Sequence, residues 1–328
     1  MEQHAHWRPD RKTAPGYIEQ ARQSTQARAA NPWLAAGSVI VRQQALRDFA
    51  QAMTNFFRRT HRRPTWRTRG RGEGFRIVSV KPGDVRRVSR KVGEVRVPKV
   101  GWVRLRWSRA AVDGVKSYRV TRDRAGRWHV AFAVVPEPIA GPGTGAVVGV
   151  DRGVVVSAAL STGELLCAPI LRGSEKARLL RLQRKLARAH CGSNRRGKAK
   201  TAIAKLKARE TDRRKDWVEQ TRTRLAREFD VIAIENLKIS NVTWSAKGTQ
   251  KAPCPGVRQK AGLNWGILVN GWGLLVTRLE RKARGRVVKV DPRFTGQRCS
   301  ACGVVDREAR ESQAAFRCRS CALPAMRM

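Results

Sequence analysis

Two short apolar runs set the first limit on how this chain folds. They are Ala146-Val147-Val148-Gly149-Val150-Asp151 and Val231-Ile232-Ala233-Ile234-Glu235. Neither alternates apolar with polar residues, so neither suits a strand with one wet face. Both read as strands of an α/β sheet covered by helices on its two sides. Each run stops on a carboxylate. Active sites of such sheets lie beyond the carboxyl ends of the strands, which puts Asp151 and Glu235 at the candidate catalytic position. Two carboxylates drawn together from distant sequence repel unless a cation sits between them, and their oxygens select a hard divalent ion such as Mg²⁺. Phosphodiester hydrolysis is a reaction such ions serve. On spacing alone, acids that merely end strands read the same way.

A second constraint lies near the end of the sequence. Cys299, Cys302, Cys318 and Cys321 form the pattern Cys-x2-Cys-x15-Cys-x2-Cys. Each Cys-x-x-Cys turn aims two thiolates to one side, and two such turns complete a tetrahedral zinc site with no open position. That makes the Zn²⁺ structural. Arg298, Arg317 and Arg319 offset the charge of four thiolates. Cys167, Cys191 and Cys254 have no partner spacing and read as ordinary thiols.

Charge narrows the class of partner. Of 328 residues, 69 are Lys or Arg and 25 are Asp or Glu, a formal net charge of +44. Self-repulsion of that size is costly unless a polyanion binds and releases counterions, so nucleic acid is the expected partner. No apolar stretch suits a membrane span or a signal peptide. Cysteines in metal spacing suit a reducing compartment, so a cytoplasmic, nucleoid-associated protein is expected.

Periodicity divides the chain. Residues 1–72 read as a helical segment followed by a basic arm broken by Pro64 and Gly70. Residues 73–135 turn to period two, with strands at 93–98, 101–107, 118–121 and 128–134 and a hairpin turn at 122–126. Pro and Gly mark 136–145 as a linker. From 146 to 298 the pattern is α/β, with strands at 154–160, 164–168 and 286–291 and one helix over 263–284. Within it, 172–228 is a basic helical hairpin. The stretch 172–224 holds 19 Lys and Arg against 5 Asp and Glu, and the break falls at Cys191-Gly192-Ser193-Asn194. The zinc ribbon spans 299–321, and 322–328 is a tail.

In this order, Val148-Gly149-Val150-Asp151-Arg152-Gly153, Ile232-Ala233-Ile234-Glu235-Asn236-Leu237 and Cys299-Ser300-Ala301-Cys302-Gly303 closely resemble TnpB (OrfB) proteins of insertion sequences, relatives of the type V CRISPR effectors. Leu179-Leu180-Arg181-Leu182, Gly271-Trp272-Gly273 and Arg96-Val97-Pro98-Lys99 resemble the family as well. The resemblance runs from about residue 30 to Cys321. It implies an RNase H-like (RuvC) nuclease domain with an inserted zinc ribbon, after a helical segment and a β-barrel-like wedge domain. It implies a guide RNA transcribed from the element's end, which directs cleavage of a DNA target. Asp151 and Glu235 match the first and second RuvC acids and would hold Mg²⁺, and the four cysteines match the ribbon. The family's third acid follows the last cysteine; here the sequence reads Cys321-Ala322-Leu323-Pro324-Ala325-Met326-Arg327-Met328. A chain truncated at both ends and impaired in cleavage is therefore expected, with Asp291 and Asp306 as poor substitutes. The rival expectation is a catalytically dead, RNA-guided repressor.

Overall fold

In a computed structural model, the structure describes residues 16–65, 72–108, 113–135, 137–246, 248, 255–294, 297–299, 301–309, 315–322 and 324–326. Cys254, the amino-terminal 15 residues and part of the basic arm lie outside them. The chain forms two compact units, Met1–Val135 and Pro136–Met328.

The first unit opens with three helices, α1 (Tyr17–Ala30), α2 (Pro32–Ala36) and α3 (Val39–Phe57). Pro32 starts α2, where its missing N–H costs nothing. Six strands follow: β1 (Gly74–Ile77), β2 (Val85–Arg87), β3 (Val92–Val97), β4 (Gly101–Arg106), β5 (Ser117–Arg122) and β6 (Trp128–Ala133). They pair as two three-stranded sheets, β1-β5-β6 and β2-β3-β4. One core serves both, built from Ile77, Val95, Val97, Tyr118 and Val120, with Ile40 and Val41 of α3 packed on it. Tyr118 ties the sheets together by donating its hydroxyl to the Arg96 carbonyl at 2.7 Å. Burial pushes that phenol up to about 12. On β3, Glu94 accepts from Arg86 and Arg104 of the flanking strands, so part of the basic face is internally paired.

The second unit is built on a five-stranded sheet of order β11-β10-β7-β8-β9, from β7 (Val147–Asp151), β8 (Ala158–Leu160), β9 (Leu165–Leu166), β10 (Val231–Glu235) and β11 (Val287–Val290). The two apolar runs are its central parallel pair, β7 beside β10, and β11 runs parallel to β10. Val148, Val150, Ile232 and Ile234 are buried against Val218, Leu225 and Ala226 of α5 (Asn194–Glu228) and Leu275 and Leu279 of α8 (Trp272–Lys282). Apolar residues one helical turn apart give each helix its buried stripe. The hairpin of α4 (Gly173–Arg188) and α5 is present, and Ser193 caps α5 by accepting from the Arg196 N–H. Helices α6 (Ile239–Val242) and α7 (Val257–Asn270) precede α8.

Several boundaries differ from the periodicity reading. The helix expected over 263–284 is two helices, because Gly271 sits at φ 68° between α7 and α8. The strand expected from 154 starts only at Ala158; the preceding residues form a loop. The stretch 137–145 is pinned to its unit: Ile139 donates to the Lys282 carbonyl, and Asp230 accepts from Gly143 and Gly145 N–H groups. Beyond the last cysteine, β13 (Pro324–Met326) pairs with β12 (Ala315–Arg317), so the cysteine module continues past 321 rather than ending in a loose tail.

Candidate functional site: a carboxylate pair and a four-cysteine cluster

The register of β7 and β10 matches Ile234 with Val150. One step further along two parallel strands come Glu235 and Asp151, both at the carboxyl edge of the sheet. Side chains alternate along a strand. With Val150 and Ile234 turned into the core, the two acids turn to the opposite face. Burial raises the pKa of Glu235, the nearby Asp151 carboxylate raises it further, and Arg152 opposes both. Glu235 therefore feels the charge of Asp151.

Arg152, which follows the first acid, is only 5% exposed. Its Nη2 donates to the main-chain carbonyl of Glu235 at 2.5 Å, which clamps the end of β10 to the end of β7. Its guanidinium lies 5.7 Å from the Trp272 ring centre. Burial lowers the pKa of Arg152, while Glu235 and Asp151 pull it back up. Nothing in the sequence pattern singled out Arg152 as a positioning residue, since an Arg after an acid on a basic chain carries no distinctive signal.

The loop between β7 and β8 is held by the α7–α8 junction. Trp272 Nε1 donates to the Gly153 carbonyl at 3.0 Å, and Asn270 Nδ2 donates to the Val154 carbonyl at 2.7 Å. Ser157 Oγ donates to Asn270 Oδ1 at 2.6 Å and accepts from the Ala168 N–H. A Cβ at Gly153 would come 2.6 Å from the Val156 carbonyl, and one at Gly266 would strike Val154 Cγ1 at 2.4 Å. The Gly-Trp-Gly segment thus acts at a distance in sequence: it fixes the loop that leaves the first acid.

Oxygen donors at this edge suit a hard cation, and Mg²⁺ is commonly held by one or two carboxylates with water and substrate phosphate completing its shell. Among the described residues, no third His, Cys, Asp or Glu joins the pair closely enough to share one ion. Asp291 follows β11 at the same sheet edge and accepts from the Arg293 N–H at 3.0 Å. Asp306 lies in the cysteine module, where it accepts from the Glu308 N–H.

The four expected cysteines do converge. Their sulfurs all lie within 4.8 Å of one another, with Cys299 to Cys321 and Cys302 to Cys318 each at 3.5 Å. That is too long for a disulfide and close to the edge of about 3.8 Å that a tetrahedron of 2.3 Å Zn–S bonds requires. Cys299 and Cys318 are buried with Ala309 and Phe316. The Cys302 main-chain N–H, aided by that of Ala301, brings the Cys299 thiol down to about 6, so a ligand thiolate forms readily. Cys167 and Cys191 are exposed and free.

With this geometry in place, the relatives can be set beside it. The IS605 OrfB family, described as a probable transposase, matches residues 129–245, and the Cas12f1-like TNB domain matches 272–327. The chain is 34% identical over 282 residues to the Escherichia coli K12 protein named "Putative RNA-guided DNA endonuclease InsQ", covering 84% of this chain and 68% of that one. It is 32% identical over 269 residues to a Streptomyces pristinaespiralis protein of the same description, covering 80% of this chain and 62% of the relative. A CRISPR-associated endodeoxyribonuclease Cas12f1 of Syntrophomonas palmitatica shares 25% identity over 240 residues, 65% of this chain and 44% of its own length. No described helix is long and apolar enough to cross a membrane.

Proposed function

Since the chain belongs to the TnpB/OrfB (IS605) family, related to Cas12f, we propose that it is an RNA-guided DNA-binding protein that cuts DNA, at an impaired rate for want of a third acid beside the pair among the described residues, at a divalent-cation site held by Asp151 and Glu235. One observation carries the catalytic part: two acids from distant sequence end adjacent parallel strands in register, and the Asp151 carboxylate adds to the burial that raises the pKa of Glu235. In this reading the second unit is an RNase H-like (RuvC) domain and the two sheets of the first unit are the wedge domain. The four cysteines hold a structural zinc that ties together two turns with little core of their own.

A divalent ion held by Asp151 and Glu235 would supply an activated water and would neutralise charge on the scissile phosphate. The chain's own residues do the remainder. Asp151 and Glu235 present oxygens on one face, and Glu235 stays poorly solvated, which strengthens its hold on a cation. Arg152 fixes the distance between the two strand ends through the Glu235 carbonyl. The loop braced by Asn270 and Trp272 keeps Asp151 from drifting away from its partner. A guide RNA supplies sequence recognition by base pairing, so the protein need only grip backbone and shape, a task suited to a net charge of +44.

Manganese titration followed by electron paramagnetic resonance tests the site without relying on activity. Wild-type protein should bind the ion, and Asp151→Asn should weaken binding by about tenfold or more. Equal binding by the variant would remove Asp151 from the site.

A further inference from the structure

The helical hairpin takes no part in the carboxylate site, and its charge is unevenly placed. Between Glu175 and Glu210 there is no acidic residue, while thirteen residues are Lys or Arg. Several cations nearer the sheet are paired within the protein. Arg213 pairs with Glu175, Arg224 with Glu164 and Arg222 with Glu219, and Arg214 donates to the Val269 carbonyl. Lys207, paired with Glu210, marks the boundary.

A cleft of about 760 Å³ runs along α5 from Asn194 to Arg209, reaching just past Lys207, with Arg178 of α4 on its wall. Its length is about 22 Å at 1.5 Å per helical residue. Arg178, Lys198, Lys205 and Arg209 line it. All four are exposed, and none has a hydrogen bond or ion pair with a described residue. On α5 the three cations share one helical face, being seven and then four residues apart. Gly197 also lines the cleft, and a Cβ there would meet nothing. Internal packing gives no reason for a glycine inside this helix, where it weakens the helix; it leaves bare main chain on the cleft floor.

Four cations without a partner among the described residues repel one another along an open trough, and a row of phosphates relieves that repulsion. A strand of a duplex carries a phosphate about every 3.4 Å, so the trough matches roughly six of them. We infer that this cleft is a seat for the sugar-phosphate backbone of a nucleic acid, with Arg178, Lys198, Lys205 and Arg209 contacting phosphates. The inference rests on the RNA-guided reading above and assigns it a surface remote from the carboxylates in sequence.

The test uses the full chain in two forms. One carries Arg178→Gln, Lys198→Gln, Lys205→Gln and Arg209→Gln. The other carries Arg181→Gln, Arg184→Gln, Lys185→Gln and Arg188→Gln, the same charge removed from the same hairpin outside the cleft. Fluorescence anisotropy across a salt series, with an RNA hairpin and a DNA duplex of arbitrary sequence as separate probes, reads the affinity. The cleft variant should bind at least about tenfold more weakly than the control variant at low salt. Its salt dependence should flatten by about 3–4 in the slope of log affinity against log salt. Loss on RNA alone assigns the cleft to the guide, loss on duplex alone to the target, and loss on both to either backbone. Two variants that behave alike, while wild-type protein binds, overturn the cleft. Wild-type protein that binds neither probe overturns the nucleic-acid reading itself, and the cleft with it. Should the fourfold variant melt below wild type, the pair Lys198→Gln and Lys205→Gln carries the same comparison.

Discussion

At the scale of single residues, Glu235 shows the tension in the site most clearly. Burial and the neighbouring Asp151 both favour its protonated form. A carboxyl whose folded pKa lies above its unfolded value, about 4.3, contributes stability that is fully present below that value. The contribution is lost as pH rises through the folded value. At neutral pH and without divalent ions, the ionised side chain is therefore a liability. Glu235→Gln should raise the melting temperature at pH 7 in chelator, and the gain should shrink towards pH 4. The Arg152 clamp survives this substitution because it uses the Glu235 main-chain carbonyl. Thermal melts at the two pH values decide it, and a lower melting temperature for the variant at pH 7 would contradict the assigned environment. Ala322 is a second site of tension. It follows the second cysteine turn at φ 55°, where Gly303 follows the first at φ 74°, and the left-handed conformation costs a residue with a side chain about 1–2 kcal/mol.

At the scale of elements, the loop after β7 is where structure and chemistry meet. It has no regular secondary structure, yet Asn270 and Trp272 of the α7–α8 junction donate to its Val154 and Gly153 carbonyls, and its own Ser157 donates to Asn270. Gly153→Ala would push a methyl against the Val156 carbonyl. It should destabilise the second unit by about 1–3 kcal/mol, or roughly 2–4 °C in melting temperature per kcal/mol for a unit of that size. It should also weaken manganese binding. Calorimetric melts with metal titration check both, and unchanged values would show that the loop adapts freely.

The sequence already carried the central strands, the hairpin and the cysteine cluster, for physical reasons. Continuous apolar runs mark strands, although the structure buries only one face of them and leaves Val147 61% exposed on the other; the break at 191–194 separates two helices, and four matched cysteines leave few alternatives. Other parts were not legible. Val154-Val155-Val156 resembles a strand, but Gly153 and the Asn270 hydrogen bonds hold it as a loop. Gly271 between two helical stretches gave no periodic signal of the break. Arg152 needed its tertiary partners before it could be distinguished from the other basic residues.

At the scale of the whole molecule, the chain has two units, a sheet edge bearing two acids and a cysteine module, all under a net charge of +44. In the proposed function the labour is divided. Base pairing reads sequence, basic surfaces grip backbone, and the pair at the ends of β7 and β10 performs the chemistry. The most direct measurement is guided cleavage. The protein is co-expressed with the RNA encoded at the end of its own element, purified as the complex, and given a matching plasmid target with Mg²⁺. The account predicts cutting that requires Mg²⁺ and a matching guide and that falls by at least about a hundredfold in Asp151→Ala. Binding without any cut, or cutting that Asp151→Ala leaves intact, would contradict it.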